Sequence, residues 1–206
     1  MIEIDKHKIY ESHGYKFINF VDLTIEQKEM ILSWRNHEKV RSMMVNKDPI
    51  SLDNHIIFID SLKDRTDCYY WLVKDPLDVE VGVFDIIHVD YTKDEGEIGF
   101  YINPNEAGKG FEFMIECNYF AYSQLKLGNN LSTVNVNNKD ILLFTKYIGS
   151  SFERIEKIGN DYFYVNKHGR GDYLIKHYSD FKLKNYARFV KKNRNNENIF
   201  IPQKNT

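Results

Sequence analysis

The sequence predicts an α/β (α+β) domain, a mixed central sheet of about six to seven strands flanked by about four helices, with a C-terminal extension. Three observations predict it. Segments with two-residue alternation and segments with a helical repeat succeed one another along the chain. Between residues 96 and 127 a short alternating strand passes through a Gly-x-Gly turn into an amphipathic helix. A chain of 206 residues, 42% hydrophobic and 15% aromatic, can bury one sizeable core. The reading is one domain over 15–178, with an N-terminal extension over 1–14 and a basic, Asn-rich tail over 179–206.

Residues 15–20 read as the first strand. Thr24 with Gln27 three residues later forms a capping-box signature, and Met30, Ile31 and Trp34 give the helix that follows an apolar face. A second helical stretch surrounds Val40, Met43 and Met44 and is broken by Pro49. Ser51 then caps a helix with Leu52, Ile56, Ile59 and Leu62 on one side. Strands follow over 68–73 and 79–89, separated by the turn-forming Asp75-Pro76. In the next strand Ile98, Phe100 and Ile102 alternate with Glu97, Gly99 and Tyr101, and Pro104 ends it because proline donates no ladder hydrogen bond. From Phe111, the residues Phe113, Met114, Cys117, Phe120, Ala121 and Leu125 recur at helical spacing, with Gly128 at the place of a left-handed stop. Beyond lie a strand over 131–137, a helix over 140–147, and strands over 152–158 and 162–166 joined by Gly159-Asn160-Asp161; a further strand is expected over 172–178. Residues 181–194 carry six Lys and Arg without an acid, which reads as a solvated, partly frayed helix or as a surface for phosphates or an acidic partner.

The glycines at 108 and 110 allow the backbone close to a ligand, and a helix start offers unpaired N–H groups with the positive end of its dipole, which suits a phosphate anion. The alternative is a tight strand-to-helix connection. Phe113 stands where a third glycine would be, and no Gly-Lys-Ser/Thr follows, so neither dinucleotide nor P-loop binding is favoured. A formal net charge of −2 gives no reason to invoke nucleic acid. Cys68 and Cys117 are isolated packing thiols, which fits a reducing compartment, and no run has the length of a signal peptide core or a membrane span. A cytoplasmic protein is expected. The seven histidines lack metal-ligand spacing, so no metal is expected, and no Gly-x-Ser-x-Gly marks a serine nucleophile.

This order of parts, with the turn Asn105-Glu106-Ala107-Gly108-Lys109-Gly110, resembles the GCN5-related N-acetyltransferases, which bind acetyl-coenzyme A on a Gln/Arg-x-x-Gly-x-Gly/Ala turn. Both glycines are kept and Asn105 replaces the first residue. The resemblance implies acetyl-CoA as co-substrate, its pantetheine arm along Tyr101, Ile102 and Asn103 and its pyrophosphate on the amides of Gly108, Lys109, Gly110 and Phe111. Trp34-Arg35-Asn36-His37 with Met44, His55 and Phe58 is similar to the acceptor side of the sugar-nucleotide N-acetyltransferases of pseudaminic acid biosynthesis, which acetylate a UDP-linked 4-amino sugar. It implies that Arg35, Met44, His55 and Phe58 line the acceptor's nucleotide pocket. A homodimer is compatible with it.

Acetyl transfer needs a base for the amine, an N–H for the developing oxyanion and a proton for the thiolate. Glu97, on the strand face opposite Ile98 and Phe100, is the first candidate base, with Glu95, Asp85 and His88 as rivals. The family's acid is a tyrosine in the pattern Asn-x-x-Ala-x-x-x-Tyr; counting from Asn137 places Phe144 there, whereas counting back from Gly149 places Tyr147, which is the candidate acid. Two other readings compete: a protein N-terminal acetyltransferase of the ribosomal-protein type, and a non-catalytic module on the same fold.

Overall fold

The computed structural model describes residues 1–106, 108–168 and 171–196; Ala107 of the glycine turn and the end of the Asn-rich tail lie outside the described residues. The strands are β1 (Tyr10–Ser12), β2 (Tyr15–Asn19), β3 (Tyr69–Lys74), β4 (Glu80–Asp90), β5 (Glu95–Ile102), β6 (Asn129–Asn135), β7 (Ser151–Ile158) and β8 (Asp161–His168). The helices are α1 (Ile25–Asn36), α2 (Glu38–Arg41), α3 (Leu52–Ser61), α4 (Gly110–Ser123), α5 (Lys139–Tyr147), α6 (Gly171–Lys176) and α7 (Leu183–Asn193). They build one mixed sheet in the order β1-β2-β3-β4-β5-β6-β8-β7, antiparallel throughout except for the β5–β6 pair.

Local chemistry sets the helix starts. Thr24 accepts from the Gln27 amide while the Gln27 side chain accepts from the Thr24 amide, so the capping box predicted for α1 forms in full. Ser51 accepts from Asn54 N–H at the start of α3, and Asn138 caps α5. Strand alternation then divides the sheet between two cores. On one face Phe17, Trp71 and Phe84 pack on Phe113, Phe120 and Ala121 of α4, with Phe17 stacked on Phe120 at 4.0 Å between ring centroids. On the other, Leu72 and Val83 meet Ile31 and Trp34 of α1 and Ile59 of α3.

The structure departs from the sequence reading at four places. Residues of the presumed N-terminal extension form β1, an eighth strand, which turns through His13 and Gly14, both at positive φ, into β2 and buries Ile4 and Tyr10 in the core. The segment over 172–178 is α6 and a 3-10 turn rather than a strand, and Gly171 lies against Tyr122 of α4, where a Cβ would come within 2.5 Å of the ring. The left-handed residue after α4 is Lys126, at φ 57°, while Gly128 is needed instead for space, since its Cβ would collide with Asp94. The C-terminal basic segment is a packed helix: Tyr186 and Phe189 of α7 lie on Tyr147 of α5, and Tyr186 stacks on Phe111 at the head of α4.

Candidate active site

The β5–β6 ladder holds three residue pairs and stops at Glu97↔Leu131. One further link follows, from Ile98 N–H to the Asn130 side-chain oxygen at 3.1 Å. Beyond it the strands diverge, and a cavity of about 670 Å³ opens between residues 98–104 on one wall and Ser132, Thr133, Val134 and Asn135 on the other. Asn103 N–H bonds to Val81 O, so odd-numbered amides of β5 point to β4; with the two-residue period of a strand, the N–H groups of Phe100 and Ile102 point into the gap. An extended, amide-bearing chain can pair with that edge as an added strand.

At the outer end of β5, Ile102 touches the glycine turn. A Cβ on Gly110 would stand 2.8 Å from Ile102 Cδ1, the tip of a flexible side chain, and so would crowd the end of β5, while Gly108 has φ 90°, a backbone conformation that favours glycine. Lys109 caps α4 with no side-chain hydrogen bond, which leaves the first-turn amides of α4 free of a side-chain cap and open to a phosphate. The Lys109 ammonium is held by Asp75 at 2.8 Å and Glu106 at 3.1 Å, the Asp75 bond doing most to raise its pKa. Asn103 accepts from Asn105 N–H at 3.0 Å and donates to Glu80 O, which fixes the entry to the turn. This strand edge and helix head fit a pantetheine arm followed by a pyrophosphate.

The acceptor side is formed by the loop after α1. Arg35 and Met44 line the cavity with Lys39 and Met43. Arg35 donates through Nη2 to Asn46 O at 2.8 Å, while Nη1 is buried with no partner among the described residues. Burial lowers the Arg35 pKa, opposed by the neighbouring Tyr101. His55 and Phe58 stand elsewhere. His55 is a buried residue of α3 with Nε2 unpaired among the described residues, its pKa lowered by burial, and Phe58 packs edge-on against Tyr70 at 5.2 Å; neither is in the wall. Phe58 therefore supports Tyr70, which does line the cavity.

Glu97 is outside the wall and bonds to His88 Nδ1 at 3.2 Å. Two carboxylates line the cavity, Asp140, exposed at the start of α5, and Asp85, opposite Gly99 on β5 and Tyr70 on β3. A Cβ on Gly99 would lie 2.5 Å from Asp85 Oδ1, so the absent side chain makes the room this carboxyl occupies. Burial, with the Glu97 charge adding, pushes Asp85 up to about 7. Burial also pushes the Tyr101 phenol well up, with Asp85 contributing, which keeps it protonated. Phe144 is in the wall, whereas Tyr147 lies behind it among Phe181, Tyr186 and Phe189. Asp85 carries a sequence signal after all: it is the one charged residue inside the apolar run over 81–87.

No family model matches the chain. It is 30% identical to the acetyltransferase PseH of Campylobacter jejuni (strain 81-176) over 127 residues, 62% of this chain and 78% of that enzyme. The chain belongs to the GCN5-related N-acetyltransferases. The crystal structure of C. jejuni N-acetyltransferase PseH in complex with acetyl coenzyme A superposes with a TM-score of 0.61 at 22% identity, over 76% of this chain and 99% of that one. Spermidine N-acetyltransferase from Vibrio cholerae, in complex with CoA and spermine, gives 0.64 at 18% identity, over 76% and 94%. As a GCN5-related N-acetyltransferase the chain is an enzyme that uses acetyl-CoA as co-substrate. No helix among the described residues is long and apolar enough to cross a membrane.

Proposed function

We propose that this N-acetyltransferase acetylates the amino group of a nucleotide-linked 4-amino-deoxy sugar, by direct transfer in a ternary complex in the cytoplasm. The observation that carries the acceptor class is Arg35 Nη1, buried without a partner among the described residues on an arginine that lines the cavity with Lys39. An unpaired buried guanidinium donor is costly, and a phosphate or uracil carbonyl relieves it. Two cations in the acceptor wall also oppose a polyamine or a basic peptide end, which carries the same sign of charge. Met44 offers an apolar, adaptable surface for a base.

Acetyl-CoA supplies the activated acetyl carbonyl. Asp85, with its carboxyl near neutrality, takes the proton from the acceptor ammonium, so that a free amine attacks. Phe100 N–H, pointing into the gap, donates to the charge developing on the carbonyl oxygen. Ile102 N–H and the amides of Gly108, Lys109, Gly110 and Phe111 hold the arm and the pyrophosphate. Water, rather than Tyr147, returns the proton to the leaving thiolate. The test is free-thiol release from acetyl-CoA with a panel of UDP- and dTDP-linked 4-amino sugars, spermidine and a basic peptide. Turnover confined to a sugar nucleotide supports the reading; turnover with spermidine or the peptide alone removes the nucleotide from it.

A further inference from the structure

We infer that the Tyr70 and Tyr101 phenols hold the sugar ring of the acceptor, by hydrogen bonds with the hydroxyl on the carbon next to the one that bears the amine. The inference rests on the acceptor class proposed above and adds the residues that read the sugar itself. Both tyrosines line the cavity together with Arg35 and Asp85.

Three neighbouring strands present this group. Tyr70 on β3 stands directly opposite Asp85 on β4, and Asp85 stands directly opposite Gly99 on β5. Opposed residues of an antiparallel pair share a face, and a strand returns to the same face every two residues, so Tyr101 follows Gly99 onto that face. A Cβ on Gly99 would meet Asp85 Oδ1 at 2.5 Å, so the carboxyl lies over Gly99 with the two tyrosines flanking it. Neither phenol has a hydrogen-bond partner among the described residues. Both are nevertheless drawn into the protein: burial first, and the Asp85 charge next, raise the pKa of each. The Tyr70 ring is fixed before a ligand arrives, with Phe58 edge-on at 5.2 Å and Phe20 at 5.5 Å. Tyr101 also feels the Arg35 charge, which opposes the rise in its pKa, so the phenols adjoin the guanidinium proposed for the nucleotide.

Once a ligand displaces water from the cavity, a phenol without a partner is a penalty that a sugar hydroxyl removes and a methylene does not. A 4-amino sugar with a 3-hydroxyl meets the pattern, its amine at Asp85 and the adjoining hydroxyl at the phenols. A polyamine carries only methylenes beside its amine and leaves both phenols unpaired. The two tyrosines therefore select the acceptor by hydrogen bonding, apart from the selection by charge at Arg35 and Lys39.

Steady-state kinetics with a UDP-linked 4-amino-4,6-dideoxyhexose and with its 3-deoxy analogue test the assignment. The wild type is expected to show a kcat/KM about tenfold or more higher for the 3-hydroxy compound. The double variant Tyr70→Phe/Tyr101→Phe should process the two alike while binding acetyl-CoA as the wild type does in calorimetric titration. Tyr69→Phe, which removes a hydroxyl bonded to Tyr91 outside this cavity, should retain the preference. Equal turnover of the two compounds by the wild type, or a preference that survives in the double variant, overturns the sugar contacts and leaves the acceptor class standing. A parallel loss of acetyl-CoA binding in the double variant makes the effect structural and also overturns them. Turnover of neither compound by the wild type overturns the acceptor class and the contacts together.

Discussion

Asp85, proposed above as the base, is a carboxyl that the sheet buries at a cost. It sits in a strand otherwise filled by Val81, Val83, Phe84 and Ile86, all buried, and its carboxyl is pushed up to about 7 by burial first and Glu97 second. Asp85→Asn should lower kcat/KM by about a hundredfold or more and remove the rise in activity through pH 7, because a base must be deprotonated to act. Stability should move the other way. The unfolded Asp titrates near about 3.9, so the folded protein binds the extra proton and loses stability as pH rises from there to about 7. Thermal melts should show Asp85→Asn gaining on the wild type at pH 8 and matching it near pH 4. Tyr147 offers the opposite case. Its ring is held by Phe181, Tyr186 and Phe189 outside the cavity, so Tyr147→Phe should change turnover by less than about twofold, as thiol release will show. A drop of about a hundredfold would return the proton to this phenol.

At the scale of elements, α4 does two jobs, since its head meets the turn and its buried flank fills the larger core. Phe120 is fully buried against Phe17, Trp71 and Phe84, and Phe120→Ala should cost about 3–5 kcal/mol in denaturant unfolding. Elements with strong local signals were legible in the sequence: the Thr24 and Ser51 caps, the alternation in β5, and the glycine turn into α4. Elements held by distant partners were not. β1 has three residues and exists through its hairpin with β2, and α6 replaces an expected strand because Gly171 docks on Tyr122. The helix of α7 was legible, but its docking through Tyr186 and Phe189 was hidden among the surrounding cations. The site divides in the same way. The candidate turn glycines and Arg35 were named from the sequence, whereas that Asp85 lines the cavity and Glu97 and His55 do not depends on which side of a strand or helix the fold leaves open.

For the whole molecule, the contacts proposed for the coenzyme are spread over β5, the turn and α4, so binding should be read out as stability. At about a hundredfold excess over Kd a ligand adds about 2.7 kcal/mol, which for a chain of this size raises Tm by about 5–10 °C. Gly110→Val would bring a side chain onto Ile102, so it should keep its own cooperative melt and lose the acetyl-CoA shift. A shift as large as that of the wild type would mean that the turn does not approach the ligand.

The three pairs between β5 and β6 have a consequence for motion. They and the Asn130 side chain are what stitches the strands β1 to β5 to the trio β6, β8 and β7 across the sheet. The sheet is thus two panels joined along a short seam, and a guest lying in the gap lengthens that seam by bonding to the exposed edge of β5. Amide hydrogen exchange should be fastest, within the sheet, at the free ends of β5 and β6. Added acetyl-CoA should slow Phe100 and Ile102 most, with protection spreading into β6 while β2 and β3 stay unchanged.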